Sequence, residues 1–176
     1  MIDKKLLNRM LIHVEDSLNR SYLVLKKDFI PDDKFKEAIK VHQSESKMEE
    51  FLNLKLIEKG YKKKSGKPDA ARFYNTVALV SSSAWSDLIH RARSTTKEVL
   101  FRIVIGFKFN KTEADEFLRL AGCAFDPAEF RDNLIEICIQ RGADDPNYYD
   151  RYYVYEIFEF YRKAGKVKEN IYVELK

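Results

Sequence analysis

The strongest structural signal in the chain is LVSSSAWSDLIHRARSTTKEVLFRIVIGFKFNKTEADEFLRLAG, residues 79–122. Apolar side chains recur at helical spacing in three runs, over 82–91, 96–109 and 112–121. Serine or threonine stands at or just before the start of each run, and these residues cap helix N-termini. The stretch therefore predicts three short amphipathic helices joined by short loops.

The same kind of pattern continues on both sides of this stretch. Further helices are predicted over 4–18, from about residue 34, over 48–59, over 69–79, from Asp126-Pro127, and over 147–162. The segment 171–175 is β-rich but isolated and stays unassigned. Short helices with capped loops predict an all-α fold, a compact helical globule. We expect a five-helix core (48–122) between an N-terminal helical extension (1–47) and a C-terminal helical extension (123–176).

Charge is distributed unevenly along the 176 residues, whose net charge is +4. Residues 48–111 contain 13 basic and 6 acidic residues, whereas residues 112–160 contain 4 and 12. The basic segment is typical of a surface that binds nucleic-acid phosphates. Packing of the two segments against each other, with mutual neutralisation, explains the same distribution equally well.

Composition and motifs exclude several classes of protein. The sequence contains no apolar run long enough for a transmembrane helix, and its first residues do not resemble a secretory signal. The two cysteines, Cys123 and Cys138, cannot form a disulfide framework, and we expect both to be buried in a reduced, cytoplasmic protein. No phosphate-binding loop, metal-ligand pattern or nucleophile motif occurs. We therefore predict a non-enzymatic protein with no catalytic residue, metal or cofactor.

A family resemblance rests on the order of these elements. A small polar turn (Val80-Ser81) precedes a helix with Trp85 and Leu88 inward, and Thr96–Leu100, Ile103–Phe109 and Thr112–Leu120 follow. This order resembles the Cro/phage-repressor helix-turn-helix family. The match extends over residues 48–162 to a mostly uncharacterised bacterial group, through Ala121-Gly122, Asp126-Pro127, FRDNLIEICIQ and YVYEIFEF. The resemblance implies a five-helix DNA-binding core, in which the second helix of the pair enters the major groove, followed by helices that often serve dimerisation.

The candidate DNA-contacting residues differ from a typical base-reading set. The helix over 82–91 carries serines and Asp87 where arginine or amide side chains often specify bases. Basic side chains before and after this helix are better suited to phosphates. The predicted nucleic-acid-binding residues are Lys62, Lys63, Lys64, Lys67, Arg72, Ser82, Ser83, Ser86, Arg91, Arg93 and Lys97. A lysine-rich loop that is merely solvated remains an open alternative, and Ser81–Ser83 is expected to act mainly as a helix cap.

Aromatic residues are dense in NYYDRYYVYEIFEFYRK, residues 147–163. One helix face cannot hold all of them, so either the helix is buried on two sides or one aromatic face meets a partner. The predicted partner interface consists of Tyr148, Tyr149, Tyr152, Tyr153 and Tyr155.

Two functional hypotheses follow from these observations. The first is a bacterial or phage DNA-binding protein that regulates transcription, binds duplex DNA mainly through phosphates and forms a homodimer. The second is a protein-interaction module, such as an adaptor or a mobile-element inhibitor, built on a degenerate helix-turn-helix.

Overall fold

The computed structural model describes residues 45–90 and 95–172, and within them it contains α-helices, turns and no strand. The all-α class predicted from the sequence is confirmed. Seven α-helices occur in this part of the chain: α1 (Glu45–Glu58), α2 (Ala70–Phe73), α3 (Ser82–His90), α4 (Lys97–Phe107), α5 (Lys111–Leu120), α6 (Phe130–Gly142) and α7 (Arg151–Lys163). The helices predicted over 4–18 and from residue 34, and most of the N-terminal extension 1–47, lie outside the described residues.

The described residues belong to two compact units, the first ending at Cys123 and the second beginning at Ala124. The first unit contains α1 to α5, and the second contains α6, α7 and the segment after α7. Each unit has its own set of buried apolar side chains.

Stacked aromatic rings form the core of the first unit. The rings of Phe73 and Phe107 lie parallel with centroids 3.8 Å apart, and Phe109 stacks on Phe107 at 5.0 Å. Phe51 of α1 contacts Phe109 edge to face at 5.7 Å. Gly106 of α4 permits the close approach of the Phe73 ring, because a Cβ atom at position 106 would lie 3.2 Å from Phe73 Cζ. The core thus joins α1, α2 and α4 through side chains that are distant in sequence.

The segment predicted as one helix over 69–79 has two parts. Asp69 caps α2 by accepting a hydrogen bond from the Arg72 backbone N–H at 3.3 Å. After Phe73 the backbone continues as a π-helical turn, Tyr74–Ala78. Leu79 ends this turn in the left-handed conformation, with φ of 51°. Apolar spacing alone does not separate α-helical from π-helical hydrogen bonding, since the two bonding patterns span four and five residues.

The helix predicted to begin at Thr112 begins instead at Lys111, because Asn110 provides its cap. Asn110 and Glu113 form a reciprocal capping box, with hydrogen bonds of 2.9 and 3.0 Å between the side chain of each and the backbone N–H of the other.

The second unit also differs from prediction at its helix starts. The predicted start at Asp126-Pro127 is wrong, since α6 begins at Phe130. The Asp126 backbone N–H donates to the buried Asp132 carboxylate at 2.8 Å, and the Asp126 side chain accepts from the Ala128 N–H at 2.9 Å. These bonds make a turn of the segment before α6.

The predicted helix over 147–162 also divides, into a 3-10 turn, Pro146–Tyr149, and α7. Asp150 separates them and caps α7, since its side chain accepts hydrogen bonds from the N–H groups of Tyr152 and Tyr153 at 2.9 and 3.0 Å. An aspartate between two helical stretches therefore acts as a new helix start.

The segment after α7 returns to that helix and contributes buried side chains. Val167, Ile171 and Tyr172 are buried. The buried Asn170 amide donates to the Tyr155 carbonyl at 2.9 Å and to the Glu159 carboxylate at 3.2 Å. The first two residues of the unassigned segment 171–175 therefore belong to the core of the second unit.

Candidate nucleic-acid interface

Three residues, Leu79–Ser81, connect the π-helical turn to α3. The backbone N–H of Val80 donates to the Tyr74 carbonyl at 2.9 Å, and the Val80 side chain is buried. Leu79 adopts the left-handed conformation for which glycine is favoured. A connection of this length between two helices is a feature of helix-turn-helix motifs, whose turn often contains glycine.

Two inward side chains hold α3 on the first unit. Trp85 is buried and contacts Phe73 at 5.8 Å and Tyr74 at 5.7 Å between centroids. Leu88, three residues further on, is also buried. The predicted inward positions of Trp85 and Leu88 are confirmed. Because these residues define the buried face, the opposite face of α3 is left to solvent.

The outward face of α3 carries the predicted serines. Ser82, Ser83 and Ser86 are all exposed, whereas Asp87 is half-buried. The Ser81 hydroxyl accepts a hydrogen bond from the Ala84 backbone N–H at 3.1 Å, so Ser81 caps α3 as expected. The first turn of α3 contains no acidic residue. The positive end of the helix dipole therefore faces solvent beside short hydroxyl side chains.

The predicted lysine loop is an ordered turn, here named the lysine hairpin (residues 61–69). The backbone N–H of Lys63 donates to the Lys67 carbonyl at 2.8 Å, and that of Gly66 donates to the Lys63 carbonyl at 2.9 Å. Lys62 and Pro68 form an antiparallel bridge. Gly66 has φ of 81°, which matches a three-residue hairpin loop closed by a left-handed residue. All four predicted lysines, Lys62, Lys63, Lys64 and Lys67, are exposed.

Arg72 lies beside the base of the hairpin. Its guanidinium carbon is 5.9 Å from the centroid of the Tyr61 ring, and the Asp69 N–H donates to the Tyr61 carbonyl at 2.8 Å. Tyr61 in turn contacts Phe73 at 5.1 Å. Since Trp85 contacts the same Phe73, the hairpin base and α3 are separated by a single side chain. The structure therefore connects the hairpin base to the inner face of α3 through Tyr61 and the buried Phe73.

The remaining predicted contacts have different positions. Lys97, the first residue of α4, is half-buried and takes part in interactions within the protein. Arg91 and Arg93 lie outside the described residues. Sequence reasoning missed Tyr61 and Arg102, which organise this region. The guanidinium of Arg102 donates to the Leu79 carbonyl at 2.9 Å, a contact over 23 residues that has no local sequence signal.

The five predicted interface tyrosines do not share one exposed surface. Tyr148 is buried and contacts Tyr153 edge to face at 5.2 Å, and Tyr149 donates to the Ile139 carbonyl at 3.2 Å. Burial and the Tyr148 hydrogen bond raise the pKa of Tyr153, so its hydroxyl stays protonated. Tyr148 thus belongs to the core, which corrects its assignment to a partner interface. Tyr152 is 55% exposed, and the Arg151 guanidinium lies 4.9 Å from its ring centroid.

The cysteines differ from each other. Cys138 is buried as predicted, and burial raises its thiol pKa to about 12, so the thiol is not a nucleophile at neutral pH. Cys123 is half-buried, which corrects the expectation that both are core residues.

Comparison with known proteins yields no match to a family model, a curated protein or a solved structure. Within residues 45–90 and 95–172, no group of histidine, cysteine and acidic side chains has an arrangement that would hold a metal ion. Among the same residues, no helix has the length and apolar character needed to cross a bilayer.

Proposed function

We propose that this protein binds duplex DNA, mainly through its phosphates, as a regulatory protein of the helix-turn-helix type. The observation that carries the proposal is the orientation of α3. Trp85 and Leu88 anchor its inner face, and Ser82, Ser83 and Ser86 are exposed on its outer face. A helix held by its inner face and preceded by a three-residue connection is the element that enters the major groove in this class.

The exposed cations of the lysine hairpin and Arg72 support docking through phosphates. The lysine hairpin exposes four lysines, and Arg72 lies at its base. The outward serines each offer a single hydroxyl, which distinguishes bases weakly compared with bidentate arginine or asparagine contacts. Lysine and arginine contacts to phosphate are independent of base sequence and dominate affinity at low salt. The proposed residues therefore favour electrostatic docking with α3 as the positioning helix.

Filter binding of the full chain to a duplex at low salt tests this function. Neutralisation of four to six phosphates gives a slope of about −4 to −5 in log K against log salt. The triple variant Lys62→Ala, Lys63→Ala and Lys64→Ala is expected to lower the slope by about 3. A double variant, Lys62→Ala with Lys63→Ala, has as its matched control the removal of two exposed lysines of the second unit, Lys163 and Lys168, which is expected to leave binding unchanged. Absence of duplex binding at low salt would refute the function.

A second candidate is a module that docks protein through α7, including self-association. The exposure of Tyr152, with Arg151 against its ring, favours this candidate, since tyrosine and arginine are enriched at interfaces. Sedimentation of the wild type and of a Tyr152→Ala, Tyr155→Ala variant tests it. A dimer that the double substitution dissociates would support docking through α7, and a monomeric wild type would argue against self-association.

A further inference from the structure

The lysine hairpin differs from a merely solvated loop in the order of its backbone. Two hydrogen bonds of 2.8 Å form the Lys62–Pro68 bridge between its two sides, and a third, of 2.9 Å from the Gly66 N–H to the Lys63 carbonyl, closes the loop. Tyr61 at its base packs on Phe73 of the core at 5.1 Å. The four lysine backbones are thus fixed before any ligand binds, so binding does not have to order them.

We infer that the lysine hairpin is a preformed clamp for the phosphate backbone of duplex DNA, and that it binds without regard to base sequence. This inference rests on the function proposed above and goes beyond it in two respects. First, the affinity depends on the shape of the hairpin as well as on its charge. Second, the protein binds duplexes of any base sequence.

The contribution of hairpin shape can be isolated at Gly66. Its φ of 81° is the conformation that closes the turn, and a Cβ atom at this position would meet nothing within 4 Å. A substitution there therefore changes backbone preference without a steric clash and without altering charge. A β-branched residue is strongly disfavoured at positive φ, so Gly66→Val disfavours the closed turn while every lysine is retained.

Binding without base preference follows from the composition of α3. Its nine residues, SSAWSDLIH, include no arginine, lysine, asparagine or glutamine, the residues that make bidentate contacts with bases. Among the described residues, the exposed cations predicted to contact DNA belong to the hairpin and Arg72 instead. Contacts made by these residues address phosphates, which are the same in every sequence.

Fluorescence anisotropy with the full chain tests both the role of hairpin shape and the lack of base preference. The probes are two labelled 20-base-pair duplexes of equal base composition and unrelated order. The variants are Gly66→Val and, as a matched control, Ser65→Val, which introduces the same side chain at the adjacent exposed position where φ is not positive. Thermal unfolding establishes that each variant is folded.

We expect the wild type to bind both duplexes with affinities within about threefold of each other. Gly66→Val is expected to weaken binding about five- to tenfold, since the hairpin then has to be ordered on binding, whereas Ser65→Val binds as the wild type does. Equal affinity of Gly66→Val and wild type would overturn the preformed clamp. A preference above tenfold for one duplex would overturn sequence-independent binding, and in both cases the proposed function would stand. No binding to either duplex would refute the proposed function itself.

Discussion

The guanidinium of Arg102 on α4 donates a hydrogen bond of 2.9 Å to the backbone carbonyl of Leu79, the left-handed residue that separates the π-helical turn from α3. The contact is part-buried and connects the core helix to the connection that orients α3. A charged donor on a rigid helix thereby fixes a backbone carbonyl at the residue where the chain changes direction.

Removal of this donor is expected to destabilise the first unit. Arg102→Met retains most of the aliphatic stem but leaves the Leu79 carbonyl without its charged donor, which costs about 1–3 kcal/mol. Urea unfolding measures the loss. Arg119→Met, which alters an exposed arginine of α5, is the control and is expected to change the free energy of unfolding by less than about 0.5 kcal/mol. Equal effects of both substitutions would contradict a role of Arg102 at the turn.

Replacement of Lys108 by glycine is expected to stabilise the protein. Lys108 follows α4 with φ of 55°, and the N–H groups of Lys108 and Phe109 donate to the Ile105 and Val104 carbonyls at 3.0 and 3.1 Å. This arrangement is a Schellman motif, in which glycine is the favoured residue. The Lys108 side chain is exposed, so Lys108→Gly relieves about 1 kcal/mol of left-handed strain without loss of packing.

Thermal unfolding checks this gain against an opposite change at a matched site. Gly60 ends α1 in the same motif, with φ of 83° and open space around a Cβ atom. Gly60→Ala is expected to lower stability by about 1 kcal/mol. A lower melting temperature for Lys108→Gly than for the wild type would show that the lysine side chain contributes more than the strain costs.

Gly142 is expected to tolerate no side chain. A Cβ atom at this last residue of α6 would overlap the ring of Tyr149, whose hydroxyl bonds to the Ile139 carbonyl. Gly142→Ala is therefore expected to destabilise the second unit by about 1–3 kcal/mol, as overpacking does elsewhere. In a double-mutant cycle monitored by thermal unfolding, Tyr149→Ala should remove most of the added penalty. Additive effects of the two substitutions would disagree with a clash between them.

The Glu159 carboxylate is expected to make stability depend on pH in the acid range. Hydrogen bonds from Arg162, at 2.8 and 2.9 Å, and from Asn170 hold the pKa of Glu159 at about 2. Because the folded pKa lies below the unfolded one, this stabilisation is present above the ordinary glutamate pKa and is lost as pH falls toward 2. The free-energy difference between wild type and Glu159→Gln should therefore be largest near pH 6 and shrink below about pH 4.5.

Urea unfolding of both proteins between pH 6 and pH 2 measures this difference. Glu156→Gln removes an exposed carboxylate of the same helix and serves as the matched control. A wild-type advantage that persists unchanged at pH 2 would indicate that the Glu159 charge is not its source.

Local signals in the sequence located most helices but misplaced several of their ends. The cap at Ser81 and the inward Trp85 and Leu88 were predicted, because a cap and a 3.6-residue period involve neighbours along the chain. The start of α6 was missed, because Asp126 is held in a turn by Asp132 rather than acting as a cap. Asp126 has the same local preference as a true cap, and only the hydrogen bond from its backbone N–H to the Asp132 carboxylate, six residues on, distinguishes it.

Sequence patterns predict some features of the candidate sites and miss others. The lysines and serines of the candidate nucleic-acid interface are predicted from residue type and spacing, whereas the order of the hairpin is not, and neither is the burial of Tyr148 in the second unit. Tyr148 and Tyr152 each precede another tyrosine, but Tyr148, in the 3-10 turn, is buried with its ring 5.2 Å from that of Tyr153 on α7, whereas Tyr152 is exposed. Exposure therefore depended on contacts that no local period encodes.

The sequence by itself determined the helical class, the inward face of α3 and the basic character of the segment before it, since each follows from neighbours along the chain. The tertiary structure alone decided the left-handed Leu79, the stacking of Phe73 on Phe107 and the closure of the lysine hairpin onto the core. These features depend on side chains that are distant in sequence and meet only in the folded chain, where packing and long-range hydrogen bonds override local preference.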